Sequence, residues 1–203
     1  MTLRRGVIDA SVLYAEPVRS FLLWVAAEGG FAPRWTQRIL DETGSNLIEA
    51  GVIASEQWDA LRTAMLDAFP DAMVAQAAVD AVEPRMPNHE KDRHVLAAAV
   101  VGDADVVVTA NLRHFKQADL AVIGKRAVSP DELLCEVLAA DPDSVLGAVR
   151  LQAAVMRKPR PWSEAELLGL FAGLGHSDPP LPALAQAVSR ALGIAPVPPP
   201  SAR

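Results

Sequence analysis

The sequence predicts an α/β fold built on a central parallel sheet. Two short β-branched segments, one around Val7–Ile8 and one over 105–109, are apolar enough to be strands covered on both faces. Segments with helical spacing lie between them, and this alternation is typical of parallel sheets. In such sheets, the residues that follow the strands gather at one edge. Asp9 and Asn111 both occupy that position, which makes this edge the first candidate for a functional site.

The elements before residue 102 have recognisable starts and ends. The first strand begins at Gly6, and helices are predicted to follow it over 17–28, 36–50, 55–68, 71–82 and 91–101. Pro17 suits the first turn of a helix, and Thr36 and Ser55 are suitable N-caps. The helix over 91–101 is apolar on nearly all sides after its first turn, which is typical of a helix buried against a sheet.

The character of the chain changes near Ser129. A weaker strand is predicted before that point, at either 120–123 or 126–128. Helices are predicted after it over 131–140, 143–157, 164–172 and 183–192, the third opened by the capping box of Ser163 and Glu166. We therefore predict a first domain over 1–128, a helical extension over 129–193 and a Pro-rich, disordered tail over 194–203.

Composition excludes several classes of protein. The 203 residues carry a formal net charge of -6, whereas proteins that hold nucleic acid by bulk charge are usually basic. Cys135 is the single cysteine, which excludes an intramolecular disulfide framework and a cysteine-cluster zinc site. We find no signal-peptide pattern, and apolar stretches such as Val95–Gly102 are too short to span a bilayer. We expect a cytoplasmic protein without a membrane segment.

Three acidic residues adjoin apolar segments. Asp9 follows Val7–Ile8, and Glu42 comes shortly after the apolar pair Ile39–Leu40. Asp92 lies in the first turn of the helix predicted over 91–101, before the apolar part of that helix. Each has an ordinary explanation by itself, as a turn residue, a solvated helix charge or a charge favoured by the helix dipole. Together they predict a cation site, because carboxylates at the edge of a core are costly unless they are paired or bind cations. Oxygen ligands suit Mg²⁺ or Mn²⁺, which can activate water and stabilise the charge on a phosphodiester.

Four segments in order resemble the motifs of PIN domains. They read VIDASVLY, ILDE, DRHVLAAA and VVVTANLRHF, and the resemblance covers roughly residues 3–128. The four segments are similar to those of the PIN-domain group that contains the VapC-type toxin ribonucleases of bacterial toxin–antitoxin pairs. The resemblance implies a three-layer α/β/α sandwich and an Mg²⁺- or Mn²⁺-dependent nuclease.

The resemblance also implies roles for individual residues. Asp9, Glu42 and Asp92 would be the metal ligands, with Asn111 in a fourth position that is often acidic in PIN domains. This neutral residue leaves three charged ligands, so weaker metal binding is expected. Asp105 or Asp103 could compensate, but Asp105 is predicted at the opposite, amino end of its strand. The candidate substrate-binding residues are Arg113, Arg93, Thr109 and Ser11, the last two of which would also order their loops.

The histidines give no zinc motif, since no HxxxH or HExxH spacing occurs. His114 lies where PIN domains often have another acid, and it is either a phosphate contact, a proton carrier or an ordinary loop residue. We expect His94 to be packed and hydrogen-bonded and not a metal ligand, and neither His89 nor His176 has an evident partner.

Two functions remain open. The first is a metal-dependent endoribonuclease in which water attacks the phosphodiester without a covalent intermediate. By resemblance it would be a toxin that binds RNA and a cognate antitoxin and forms a homodimer. The second is a PIN scaffold that no longer cuts and binds RNA or protein, which Asn111 keeps open. A phosphohydrolase with Asp9 as nucleophile would need a second aspartate two residues later, where the sequence has Ser11.

Overall fold

The computed structural model describes residues 4–156, 160–175 and 178–200. The strands are β1 (Arg5–Ile8), β2 (Ala32–Arg34), β3 (Val106–Val108) and β4 (Arg126–Val128). The helices are α1 (Ala10–Leu13), α2 (Glu16–Ala27), α3 (Gln37–Glu49), α4 (Ser55–Ala68), α5 (Gln76–Val82), α6 (Arg93–Val101), α7 (Gln117–Ala121), α8 (Pro130–Ala140), α9 (Pro142–Val155), α10 (Glu164–Gly169) and α11 (Pro182–Leu192). Among the described residues, no helix is long and apolar enough to cross a membrane.

The strands form one parallel sheet in the order β2-β1-β3-β4. The central strands β1 and β3 pair so that Ile8 lies beside Val108, and both side chains are fully buried. Helix α6 packs against these two strands, as its apolar sequence predicts. The predicted α/β fold with a central parallel sheet, consistent with a PIN-like sandwich, is therefore confirmed.

Strand β2 was absent from the sequence prediction. It is three residues long and contains Pro33, which cannot donate a hydrogen bond and is tolerated because β2 lies at the edge of the sheet. The same edge explains why the helix predicted over 71–82 starts later than expected. Trp35 exchanges backbone hydrogen bonds with Ala72 and Val74, so the chain is extended at Met73 and α5 begins only at Gln76.

The last strand settles the alternative that the sequence left open. β4 is Arg126–Val128, and it pairs with β3 at the second edge. The other candidate, 120–123, overlaps the end of α7. Leu120 there is fully buried, so its apolar character reflects helix packing.

Two compact units can be separated in the chain. The first comprises the residues up to Tyr14 together with Phe31–Ser129, and it contains the whole sheet. The second comprises Ala15–Gly30 together with the residues from Pro130 onwards. It therefore includes α2, which the predicted domain over 1–128 assigns to the first. The reason is packing, since α2 lies against α9 and α8.

The second unit is a helical bundle. Phe21 of α2 packs against Phe171, with ring centroids 4.9 Å apart. The predicted capping box at Ser163 and Glu166 opens α10, and Asp131 accepts two backbone hydrogen bonds at the start of α11. Val197 in the predicted disordered tail over 194–203 donates its N–H to Ala165 O, so residues 194–200 lie against α10. Residues 201–203 lie outside the described residues.

Gly44 gives a test of the packing in the first unit. A Cβ added at this position of α3 would overlap the ring of Trp58, which is 5% exposed. We expect Gly44→Ala to destabilise the protein by about 1–3 kcal/mol, because overpacking outweighs the gain in helix propensity. Urea unfolding measures the change. Ser45→Ala, at the exposed neighbouring position, is the control and should stay within about 0.5 kcal/mol of wild type.

Candidate active site

The candidate active site is built around Asp9, directly after β1. Its backbone N–H donates to Val108 O at 3.0 Å, which continues the pairing of β1 with β3. Its Oδ2 accepts hydrogen bonds from Ser11 Oγ at 2.7 Å and Thr109 Oγ1 at 2.6 Å. Asp9 is 3% exposed, so these two hydroxyls fix a buried carboxylate at the carboxyl edge of the sheet.

The same hydroxyls order the loops that follow β1 and β3. Ser11 Oγ accepts from the backbone N–H of Ala110 at 3.2 Å, and Thr109 Oγ1 accepts from that of Asn111 at 3.0 Å. Each hydroxyl therefore donates to Asp9 and accepts from the backbone after β3. The result is one hydrogen-bonded unit across the two central strands.

The three predicted acids come together at this edge. Burial raises the pKa of Asp9 above its ordinary value, and the hydrogen bonds from Thr109 and Ser11 lower it in part. The negative charges of Asp92 and Glu42 raise the pKa of Asp9 further, which places both carboxylates within electrostatic reach. The hydrogen bonds from the two hydroxyls therefore do not fully offset the cost of burying the Asp9 carboxylate.

Glu42 lies on α3 beside His94 of α6. His94 Nε2 is 3.4 Å from Glu42 Oε2, and the ring lowers the pKa of Glu42. His94 is 2% exposed, and neither ring nitrogen makes a hydrogen bond of good geometry within the described ranges. The prediction that His94 is packed in the core holds, but the expected hydrogen bond of its ring is wrong for the described residues. The structure adds its close contact with Glu42.

Asp92 lies beside two histidines whose role the sequence did not reveal. His114 Nδ1 is 2.6 Å from Asp92 Oδ2, and His89 Nδ1 is 4.0 Å from the same oxygen. The two imidazole rings stack with centroids 4.5 Å apart. In the sequence, only the positions of the two histidines indicate this arrangement: His89 lies just before Asp92, and His114 lies in the loop of Asn111.

Asn111 and the predicted arginines lie on the same side of the sheet as these loops. The described contacts of Asn111 are those of its backbone, which donates to Thr109 and accepts from His114 N–H. Arg113 is exposed and Arg93 is half-buried. Both line a cavity of about 370 Å³ together with His89, His114 and Lys116. Positive side chains are thus available near the carboxylates in an acidic chain.

A larger cavity of about 710 Å³ lies on the side of Glu42 and His94. Its lining mixes charges, with Arg38 and Lys91 opposite Asp41 and Asp80. By contrast, Asp103 and Asp105 lie before β3, where Arg5 pairs with the first and donates its backbone N–H to the second. Compensation of Asn111 by these two residues is therefore excluded by their place at the amino end of the strand.

Asp9 gives a test of the electrostatics. Because its pKa is raised on folding, the folded state binds the proton more tightly, and the ionised carboxylate lowers the free energy of unfolding near neutral pH. Asp9→Asn removes the charge and keeps an oxygen for the hydroxyls of Ser11 and Thr109. We expect it to melt a few degrees higher than wild type near neutral pH in EDTA.

The advantage of Asp9→Asn should shrink as the pH is lowered through the raised pKa of Asp9, where the wild-type carboxyl takes up its proton. Thermal melts across this pH range measure the change. Asp67→Asn, which removes an exposed carboxylate of α4, is the control and should show no such pH-dependent gain. Equal behaviour of the two variants would contradict the burial of an uncompensated charge at Asp9.

Comparisons with known proteins give one partial relationship. A stretch of 53 residues is 51% identical to a Mycobacterium tuberculosis protein named "Putative ribonuclease VapC50". The match covers 26% of this chain and 31% of that protein. No protein-family model matches the chain, and no solved structure matches it. The chain is thus related to a VapC-type protein over about a quarter of its length.

Proposed function

We propose that this chain is a metal-dependent endoribonuclease that hydrolyses RNA phosphodiester bonds. The observation that carries the proposal is the convergence of Asp9, Glu42 and Asp92 at the carboxyl edge of the sheet, with the pKa of Asp9 raised by burial and by the other two charges. Clusters of this kind mark functional sites because they cost stability. The partial likeness to a protein named as a ribonuclease supports the same reaction.

The donor set fits Mg²⁺ or Mn²⁺. Asp9, Glu42 and Asp92 offer carboxylate oxygens and Asn111 an amide oxygen, which are the ligands such ions prefer. The fit rests on Asp9, whose buried charge receives hydrogen bonds from neutral hydroxyls and is repelled by two further carboxylates. When bound, the ion would lower the pKa of a water molecule and offset the charge that develops on the phosphodiester.

The residues of this chain would position the reacting groups. Ser11 and Thr109 both bind Oδ2 of Asp9, which leaves Oδ1 for the cation. Arg113 and Arg93 would bind RNA phosphates beside the carboxylates, from the cavity that they line. Because the chain as a whole is acidic, this local positive charge favours a short grip on RNA over a long electrostatic surface.

We further propose that the protein is the toxin of a toxin–antitoxin pair. The name of the partial relative and the motif resemblance support this role, and with it a cytoplasmic location, a cognate antitoxin and a homodimer. An antitoxin would have to cover the negative edge formed by Asp9, Glu42 and Asp92. A positively charged segment suits that surface by charge complementarity.

The second candidate function is a scaffold that binds RNA without cutting it. Asn111 favours this alternative, because a neutral residue stands where a fourth carboxylate would strengthen cation binding. The two candidates differ in one respect that can be measured. A scaffold binds RNA with or without the carboxylates, whereas a nuclease loses turnover when one is removed.

Removing a carboxylate should abolish cleavage. We expect wild-type protein to cut a mixed RNA pool with Mg²⁺ or Mn²⁺, and Asp9→Asn and Asp92→Asn to lower the rate at least about a hundredfold, as for loss of a group that stabilises transition-state charge. Gel analysis of cleavage measures this, with EDTA as a blank and Asp67→Asn as the matched control. Cutting that survives in both carboxylate variants would refute the nuclease, and RNA binding without any cutting would favour the scaffold.

Arg113 should contribute to RNA affinity. Arg113→Ala removes one exposed positive charge beside the site, so binding should weaken severalfold and the dependence of log affinity on log salt should fall by about 0.7 for one lost phosphate contact on a single strand. Fluorescence anisotropy of catalytically inactive Asp9→Asn protein measures both values. Arg85→Ala, an exposed arginine outside the cavity, is the control; an equal effect there would show that Arg113 acts only through net charge.

A further inference from the structure

Two histidines and a carboxylate form a cluster beside the proposed nuclease site. This histidine cluster consists of His89, Asp92 and His114, and one nitrogen or oxygen atom from each lies within 4.8 Å of the others. The residues come from two separate loops. Backbone hydrogen bonds hold these loops together, from His89 N–H to His114 O at 3.3 Å and from Asp92 N–H to His89 O at 2.9 Å.

The donor set differs from that of the acidic site. Two imidazole nitrogens and one carboxylate oxygen suit zinc and related transition metals, whereas Mg²⁺ prefers oxygen ligands alone. Bonds of about 2.0–2.2 Å at tetrahedral angles place two zinc ligands ~3.3 Å apart. In the cluster, Asp92 Oδ2 lies 2.6 Å from His114 Nδ1 and 4.0 Å from His89 Nδ1. Coordination would lengthen the first distance and shorten the second, each by less than about 1 Å. It would also draw the two imidazole nitrogens, which lie within 4.8 Å of each other, closer together.

We propose that His89, Asp92 and His114 bind a zinc ion. His89 has the freedom that coordination requires, because its side chain is 46% exposed and its Nδ1 contact with Lys91 N–H is long, at 3.4 Å. Three protein ligands leave a fourth position open, which is the arrangement of zinc sites that bind water or a small ligand. The cavity of about 370 Å³ that His89 and His114 line gives access to that position.

An independent observation, a buried oxygen without a hydrogen-bond donor, points to a ligand in this cavity. Asn88 is 3% exposed and lines the same cavity. Its Nδ2 donates to Asp92 O at 3.0 Å, but its Oδ1 has no hydrogen-bond partner among the described residues. A buried acceptor without a donor destabilises the folded protein. Water on a hydrated metal ion would supply the donor that this oxygen lacks.

Zinc at the histidine cluster would compete with the nuclease site for Asp92. This consequence rests on the proposed function, in which Asp92 is a ligand of Mg²⁺ or Mn²⁺. An Asp92 oxygen bound to zinc is withdrawn from the acidic site, so zinc would inhibit cleavage. Without zinc, His114 instead donates a hydrogen bond to Asp92 and orients the carboxylate.

Calorimetric titration of metal-free protein with ZnCl₂ tests the site directly. We expect one zinc per chain for wild type. Loss of an outer-shell partner weakens metal binding about 10–100-fold. His89→Gln and His114→Gln each remove a direct ligand, so each should weaken zinc binding by more than that. Asp67→Asn, which removes an exposed negative charge of α4 that does not line this cavity, is the control and should bind like wild type. Circular dichroism confirms that each variant is folded.

The outcomes separate the zinc site from the nuclease. Equal zinc affinity of wild type and His89→Gln, or no stoichiometric binding, would overturn the site. In a second arm, each variant's cleavage rate with zinc is divided by its own rate without zinc. Inhibition in wild type and Asp67→Asn, with a weaker effect in His89→Gln, supports competition for Asp92. If the chain cuts no RNA, the proposed function fails while the titration still decides the zinc site.

Discussion

The burial of one carboxylate governs the arrangement of the first unit. Asp9 ends the central strand β1, so its position is fixed by the pairing with β3 and cannot relax towards solvent. A buried charge must be compensated locally. The hydroxyls of Ser11 and Thr109 supply part of that compensation, and they are available because the two central strands end side by side. Glu42 and Asp92 add further negative charge near Asp9, which under the proposed function a cation would offset.

Histidines provide the polar contacts of the other two acids. His94 approaches Glu42 from α6, and His114 binds Asp92 from the loop after β3. Each acid is thus held by a residue from a different element, which limits how far any carboxylate can move away from the others. Contacts of this kind orient metal ligands. Under the proposed function, the two histidines would therefore orient two of the cation's ligands.

The sequence predicted the central strands and the acidic edge because their signals are local. Val106–Val108 is a continuous β-branched run, and Asp9 directly follows the apolar pair Val7–Ile8. The features it missed depend on contacts between distant segments. Strand β2 exists because β1 offers an open edge, and His89 meets His114 only after β3 brings the second loop beside the first. The apolar face of α2 likewise does not reveal that its partners are α8 and α9.

Asp92 is shared by the two proposed metal sites. On one side it faces Asp9, whose pKa it raises; on the other it hydrogen-bonds His114. A hard cation would need Asp92 on the side of Asp9, whereas a metal that prefers nitrogen ligands would need it on the side of His114. The carboxylate has two oxygens, but rotation that optimises one oxygen for His114 changes the direction of the other. Occupation of one proposed site would therefore alter the affinity of the other, and by thermodynamic linkage the effect would be reciprocal.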